Sequence, residues 1–392
     1  MFEYVVVGAG FAGIVIAERI ATVLNEKVLL IDKRQHIGGN SYDYFNENDI
    51  LVHKHGPHIF HTQLKEVWDY LSRFTEWNRY HHRVLGFING QYIPIPFNLN
   101  SLYLLFPDSI AEMVEGQLIK KFGFNSKVLI VELRKVEDDQ IKLLADFIYD
   151  NVFKNYTLKQ WGNEINKLGS SVVNRVPINI SKDDSYFGDC FQGIPKNGYT
   201  KMFERILNHP NIKIMLNTDF KEIMQINETE KNFTLFGNKF EGKIIYSGQI
   251  DDLFNFRFGN LPYRSLFFQF ETFERDFFQQ VGTVNYPNNY DFTRITEFKH
   301  LTGQRHQMTT IAREYPQDYN INSTIGNIPY YPIINDHNLE LFAKYKNEAA
   351  MYNNLILIGR LAEYSYYNMD QVVDRAIKIF NDSICKLNLG KK

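Results

Sequence analysis

Phe2-Glu3-Tyr4-Val5-Val6-Val7, then Gly8-Ala9-Gly10-Phe11-Ala12-Gly13, then Ile14 to Leu24 with helical apolar spacing, is the stretch on which the fold turns. It reads as strand, glycine turn and helix. In such a turn the first glycine makes the tight bend and the second lets the backbone approach a pyrophosphate. The third lets helix pack on strand, and the helix N-terminus supplies N–H donors and a positive dipole end. A second apolar run, Lys27 to Ile31, ends in Asp32 at the distance where a carboxylate accepts hydrogen bonds from an adenosine ribose. The order of these parts predicts a bound dinucleotide, with Gly8, Gly10, Phe11, Gly13, Asp32 and Lys33 around it.

Farther along, Ile37-Gly38-Gly39-Asn40 adds a glycine pair after the acidic residue. Glycines there permit positive φ and close backbone approach, as FAD enzymes often require, although a Gly-Gly pair also suits a plain surface turn. Near the other end, Asn354 to Gly359 reads as a buried strand, and Asn368 to Phe380 as a helix whose N-terminus points toward a flavin ring. The dinucleotide domain is therefore expected to draw on both ends of the chain.

At 392 residues the chain exceeds what one core usually supports, so two or three domains are expected. A formal net charge of −2 provides no global attraction to nucleic acid or anionic membrane, and an anionic ligand must meet locally placed cations. Cys190 and Cys385 have neither disulfide-framework nor metal-type spacing, which suits a reducing cytoplasm. The apolar N-terminus lacks a basic leader and cleavage site, and no run approaches the ~18 apolar residues of a membrane span. A cytoplasmic location is the expectation.

The segments group into an α/β plan. A Rossmann-type dinucleotide domain is assembled from 1–77, 194–250 and 330–392. A small helical domain covers 100–170, with a substrate loop near 169–180. An antiparallel β-sheet domain takes 78–99, 171–193 and 251–329, including a glycine-turned hairpin at Gly86 to Phe97. Aromatic residues are abundant, with 24 Tyr and 32 Phe, but most such rings pack cores and sheets.

Several unusual stretches together resemble the bacterial UDP-galactopyranose mutases. They are Gly38-Gly39-Asn40, His53-Lys54-His55-Gly56-Pro57-His58-Ile59-Phe60-His61-Thr62, Tyr156-Thr157-Leu158-Lys159-Gln160-Trp161-Gly162 and Gln192-Gly193-Ile194-Pro195-Lys196-Asn197-Gly198-Tyr199-Thr200. Tyr263-Arg264-Ser265-Leu266, Thr293-Arg294-Ile295, Glu314-Tyr315-Pro316 and Gly359-Arg360-Leu361-Ala362-Glu363-Tyr364 continue the likeness over nearly the whole chain. The resemblance implies FAD, active when reduced, and interconversion of the pyranose and furanose forms of UDP-galactose through a covalent adduct of flavin N5 with the sugar. It further implies supply of the furanose to cell-surface polysaccharide, an external reductant and a homodimer. Covalent catalysis splits one hard displacement into two easier ones.

The same resemblance assigns roles. Arg175 and Arg294 match a diphosphate clamp, for which guanidinium suits as a cation that does not titrate; Arg175 lies in Gly169-Ser170-Ser171-Val172-Val173-Asn174-Arg175, a loop expected to close over substrate. Tyr186, Tyr315 and Tyr366 match phosphate-binding hydroxyls, Phe153 and Tyr156 a platform for uracil, and Thr157 and Trp161 further substrate contacts. Arg264 and Arg360 match positions near flavin or sugar, and His58, Asn40, Gly39, Asn368 and Met369 fall with the cofactor. His61 matches a histidine beside flavin and sugar, where an imidazole either relays a proton or only packs. The spacing of His53, His55, His58 and His61 gives no helical ligand face for a metal.

Two departures bear on specificity. Asn368 stands where the family often has aspartate, keeping a hydrogen bond but not a charge, and His81-His82-Arg83 replaces smaller polar residues. A preference for the N-acetylated substrate, UDP-N-acetylgalactosamine, stays open. So do an FAD oxidoreductase of the amine-oxidase type and a silent nucleotide-sugar binder.

Overall fold

The computed structural model describes residues 2–162 and 177–385. Tyr4–Val7 is buried at every position, the mark of a strand covered on both faces. It lies third in a five-stranded sheet ordered 212–215, 28–31, 4–7, 243–246 and 355–357, all paired in parallel. Tyr4 and Val6 face a core formed with the helix Phe11–Arg19, the helix Tyr199–Leu207 and the helix Met369–Ile379. Val5 and Val7 face a second core that includes Phe220, Tyr246, Tyr345 and Tyr364. The expected helix to Leu24 is regular only to Arg19; a wider turn over Ile20–Leu24 ends at Asn25, whose φ is +57°.

A seven-stranded sheet forms the second layer, ordered 331–332, 263–273, 309–318, 294–297, 283–285, 84–88 and 91–95. Its long pairing joins Tyr263–Phe273 to Thr309–Asp318, and the hairpin at 84–95 turns at Asn89-Gly90. One pair departs from the antiparallel expectation: Thr283–Asn285 runs parallel to Val84–Ile88, because those strands reach each other across about half the chain and not through a hairpin.

A helical unit encloses a third core built from Leu102, Val114, Leu118, Ile141, Leu144 and Ile148. Ile178–Ile180, expected in the antiparallel sheet domain, pairs instead with Ser126–Val128 of this unit, where Ile178 and Ile180 are buried in its core. The unit ends in the helix Asn155–Trp161, which carries the platform residues to the rim of the seven-stranded sheet. Among the described residues no helix is long and apolar enough to cross a membrane.

Candidate active site

Two contiguous cavities occupy the junction of the layers. The first, about 280 Å³, lies over the C-terminal ends of the parallel strands and is lined by Gly8, Gly10, Phe11, Asp32, Lys33, Arg34, Gly39, Asn40, His58, Ser247, Arg360 and Met369, among others. That is where an open parallel sheet places a ligand. A Cβ on Gly39 would lie 2.9 Å from Gly10 Cα, so two backbone segments meet with no room for side chains. Arg34 Nη1 is buried there without a protein partner among the described residues, an arrangement that calls for an anion. The cradle fits a dinucleotide diphosphate.

One expected cofactor residue lies outside the cavity, and another has a further task. Gly13 does not line the cavity; a Cβ there would lie 1.9 Å from the Gly8 carbonyl oxygen, so its task is helix–strand packing. Asp32 lines the cavity, but its carboxylate accepts the Ala9 N–H at 2.7 Å and the Arg34 N–H at 2.8 Å, which makes it first a brace for the glycine turn.

The second cavity, about 200 Å³, shares Asn40, His58, Tyr330, Arg360 and Met369 with the first. Its floor is one face of the seven-stranded sheet. Register places Phe268, Glu314, Arg294 and Asn285 in one cross-strand row. Arg294 is half-buried, with Nε 3.4 Å from Glu314 Oε1 and Nη2 donating to the Tyr156 hydroxyl. Burial works against the guanidinium charge, yet Glu314 and Tyr156 outweigh it and raise its pKa. Burial, above all, pushes the Tyr156 phenol up to about 12, so it stays protonated. The result is a permanent cation fixed at the cavity floor.

Around it, Tyr366 stacks on Tyr331 at 5.5 Å and 6°, and the Arg360 guanidinium lies 5.1 and 5.3 Å from the two ring centroids. Arg360 also donates to the carbonyls of Tyr330 at 3.0 Å and Tyr367 at 2.5 Å. His61 bonds Asp189 at 2.7 Å through Nδ1 and stacks on Phe187 at 3.7 Å. His58 Nδ1 donates to the Gly56 carbonyl, and burial, followed by the neighbouring His53, holds its pKa down at about 4. Asn368 and Met369, at the N-terminus of the helix Met369–Ile379, complete the rim together with Tyr186. Asn368 thus lines the second cavity and not the first.

Other expected residues fall elsewhere. Arg175 and the segment around it lie outside the described residues. Arg264 lines neither cavity: its Nε donates to the Gln160 carbonyl at 3.0 Å, its Nη2 to the Lys159 carbonyl at 3.3 Å, and its Nη1 pairs with Asp318. It holds the C-terminal end of the platform helix. Tyr315 also misses both cavities, because Glu314 points inward and the next strand residue must face the opposite side; its ring meets Phe267 and Phe292 and its hydroxyl donates to Gln269. Trp161 is buried with its ring 6.2 Å from Tyr331, whereas Phe153 and Thr157 are half-buried on the segment that also bears Tyr156. Glu314, Tyr331 and Arg34 were missed from the sequence. Lys159, passed over as part of a motif, donates to the carbonyls of Tyr286, Tyr290 and Phe292 at 2.6, 2.9 and 3.1 Å and ties the platform helix to the sheet.

Comparison with known proteins gives consistent results. A family model for UDP-galactopyranose mutase matches residues 151–366, and one for an NAD(P)-binding Rossmann-like domain matches residues 6–74. The UDP-galactopyranose mutase of Mycoplasma genitalium is 39% identical over 382 residues, covering 96% of this chain and 93% of that protein. A dTDP-fucopyranose mutase of Escherichia coli is 33% identical over 381 residues, covering 96% and 97%. A solved structure of reduced UDP-galactopyranose mutase shares the fold with a TM-score of 0.73 at 15% identity, covering 100% of this chain and 95% of that one.

Proposed function

Because the chain belongs to the UDP-galactopyranose mutase family, we propose that it is an isomerase interconverting UDP-galactopyranose and UDP-galactofuranose, with FAD in the first cavity and the sugar nucleotide in the second. The observation that carries this reading is the fixed cation of Arg294 on the floor of a cavity continuous with the dinucleotide cradle. Gly8, Gly10, Gly39, Lys33, Arg34 and Met369 would hold the cofactor. When bound and reduced, a flavin supplies a nucleophilic nitrogen for the anomeric carbon of the sugar.

The chain's own residues have the remaining tasks. Arg294 neutralises charge on the departing diphosphate, with Glu314 and Tyr156 holding its guanidinium in place. Tyr186 and Tyr366 offer hydroxyls, and Tyr331 belongs with them in place of Tyr315. Tyr156, on a helix clamped by Lys159 and Arg264, presents its ring for uracil, with Phe153, Thr157 and Trp161 on the same segment. Arg175 joins the clamp in this reading on the strength of the sequence likeness alone. Met369 and Phe268 exclude water from the cavity wall. An external reductant, a homodimer, a cytoplasmic location and delivery of the furanose to surface polysaccharide belong to the same proposal.

A second substrate is favoured by one finding, the dTDP-fucopyranose mutase at 33% identity. The test is anaerobic incubation with UDP-galactofuranose, with flavin oxidised or dithionite-reduced, and with UDP-N-acetylgalactosamine and a dTDP-6-deoxyhexose in parallel. Conversion of UDP-galactofuranose to the pyranose only with reduced flavin is expected. Flavin turnover in step with substrate loss would instead identify an oxidoreductase, and binding without conversion a silent binder.

A further inference from the structure

His82 has no part in the scheme above, yet it is buried and lines the second cavity. It precedes the strand Val84–Ile88 by two residues, and its ring is held by aromatic neighbours. Tyr186 meets it edge-on at 5.4 Å, Phe187 stacks at 5.6 Å, and the backbone N–H of Tyr186 donates to its carbonyl at 2.8 Å. Phe187 is thereby sandwiched between His82 and His61.

The ring's Nδ1 lies 3.1 Å from the Tyr80 hydroxyl. That phenol has no other side-chain or backbone partner among the described residues, and its oxygen packs against Gly282, where a Cβ would lie 2.5 Å from it. Burial raises the Tyr80 pKa, so the phenol keeps its proton, and Nδ1 of His82 is the acceptor that the protein places in reach of it. A donor at Nδ1 forces the ring proton onto Nε2. Burial, with Arg294 and His61 adding to it, holds His82 neutral by pushing its pKa down to about 3. Nε2 has no protein partner among the described residues. Facing the cavity, that N–H is open to an acceptor oxygen from water or from a ligand that displaces it.

We propose that Tyr80 is a positioning residue that fixes His82 as the Nε2–H tautomer, and that this N–H donates to an oxygen of the sugar in the bound nucleotide. The sugar is assigned because the ring stacks on Phe187, which stacks in turn on His61, the histidine that the resemblance sets beside flavin and sugar; Arg294 and Tyr186 also neighbour the ring, and the comparison of UDP with UDP-galactose separates the two subsites. The assignment rests on the sugar-nucleotide reading of the cavity. A neutral fixed donor selects an acceptor oxygen by geometry and tolerates neither a protonated amine nor an apolar group there.

The test uses FAD-loaded protein labelled with ¹⁵N-histidine, the His82 signals being assigned by their loss in His82→Phe. His82 is expected as the Nε2–H tautomer, its Nε2–H resonance shifting with UDP-galactose and staying in place with UDP. Tyr80→Phe, an isosteric change, is expected to lose the single-tautomer signature and weaken UDP-galactose several-fold. His82→Phe should weaken UDP-galactose about tenfold, as for one lost hydrogen bond, with UDP affinity unchanged. An Nδ1–H tautomer in the wild type, or equal losses for UDP and UDP-galactose, would overturn the proposal. If the wild type binds UDP-galactose with the expected shift but does not interconvert the ring forms, the mutase reading fails while the His82 assignment stands.

Discussion

Replacing Arg264 by Met separates a structural from a chemical role for this guanidinium. The side chain is 6% exposed, and burial lowers its pKa, so its charge is held at a cost. What it provides is two hydrogen bonds to the carbonyls of Lys159 and Gln160, at the end of the platform helix. Its third partner, Asp318, has a side chain 92% exposed and returns to water with little loss. Met keeps most of the apolar stem, so the loss is that of two charge-assisted bonds with both carbonyls left unpaired, on the order of 3 kcal/mol. For a chain of 392 residues this corresponds to a fall of about 4 °C in Tm. Because Tyr156 rides on that helix, KM should rise about tenfold and kcat fall less than threefold, the pattern of weakened binding without lost chemistry. Thermal unfolding and steady-state kinetics with reduced enzyme give both numbers. An unchanged Tm and KM with kcat reduced a hundredfold would refute the assignment and return Arg264 to the reaction centre.

Three further outcomes are expected. Arg294→Lys should lower kcat/KM by roughly 100- to 1,000-fold, since an ammonium cannot meet Glu314, Tyr156 and a diphosphate together; Arg294→Met should also destabilise the fold, and adding Glu314→Gln should restore stability but not activity. Gly39→Ala should purify with little or no flavin, measured by absorbance, because the added carbon meets Gly10 at 2.9 Å; full occupancy would contradict the close approach. Burial holds His53 and His58 at about 4, His55 at about 2 and His82 at about 3. Their folded pKa values lie below the unfolded one, so the stability they contribute is present above about pH 6.5 and is lost as pH falls toward 4, by about 1.4 kcal/mol per pH unit for each histidine. Urea midpoints that stay flat from pH 6.5 to 5 would show that these rings are not neutral and buried.

The parallel sheet was legible where its strands are short apolar runs, as at Tyr4–Val7 and Val28–Ile31, and the glycine turn fixes which end faces the ligand; Ile212–Met215, with Lys213 inside it and exposed, gave no such signal. Five residues that the motif likeness singled out, Arg294, His61, Tyr186, Tyr366 and Arg360, line the second cavity together. The phase of a strand was harder to read. Glu314 and Tyr315 are adjacent, both polar-tipped, and no local feature says which faces inward; register with Arg294 decides it. Tyr331 belongs to a two-residue strand, too short to show any period. The parallel pairing of Thr283 with Val84 joins distant segments, and tertiary packing alone specifies it. Arg264 shows the reverse difficulty, since a motif marks a position without saying whether it touches ligand or holds the residue that does.

The five-stranded sheet takes its strands from residues 4–7, 28–31, 212–215, 243–246 and 355–357. Gly8 and Arg360, which line the same cavity, are therefore made at opposite ends of synthesis. A nascent chain halted before Leu355 carries the glycine turn and the wall of Tyr246 to Gln249, but lacks Gly359, Arg360 and the helix whose N-terminal Met369 also lines the cavity. If FAD binds here as proposed, its capture has to wait for the segment that carries Arg360 and Met369. On the proposed FAD assignment, flavin content of chains truncated from the C-terminal side is expected to drop in one step at this point instead of declining gradually with length.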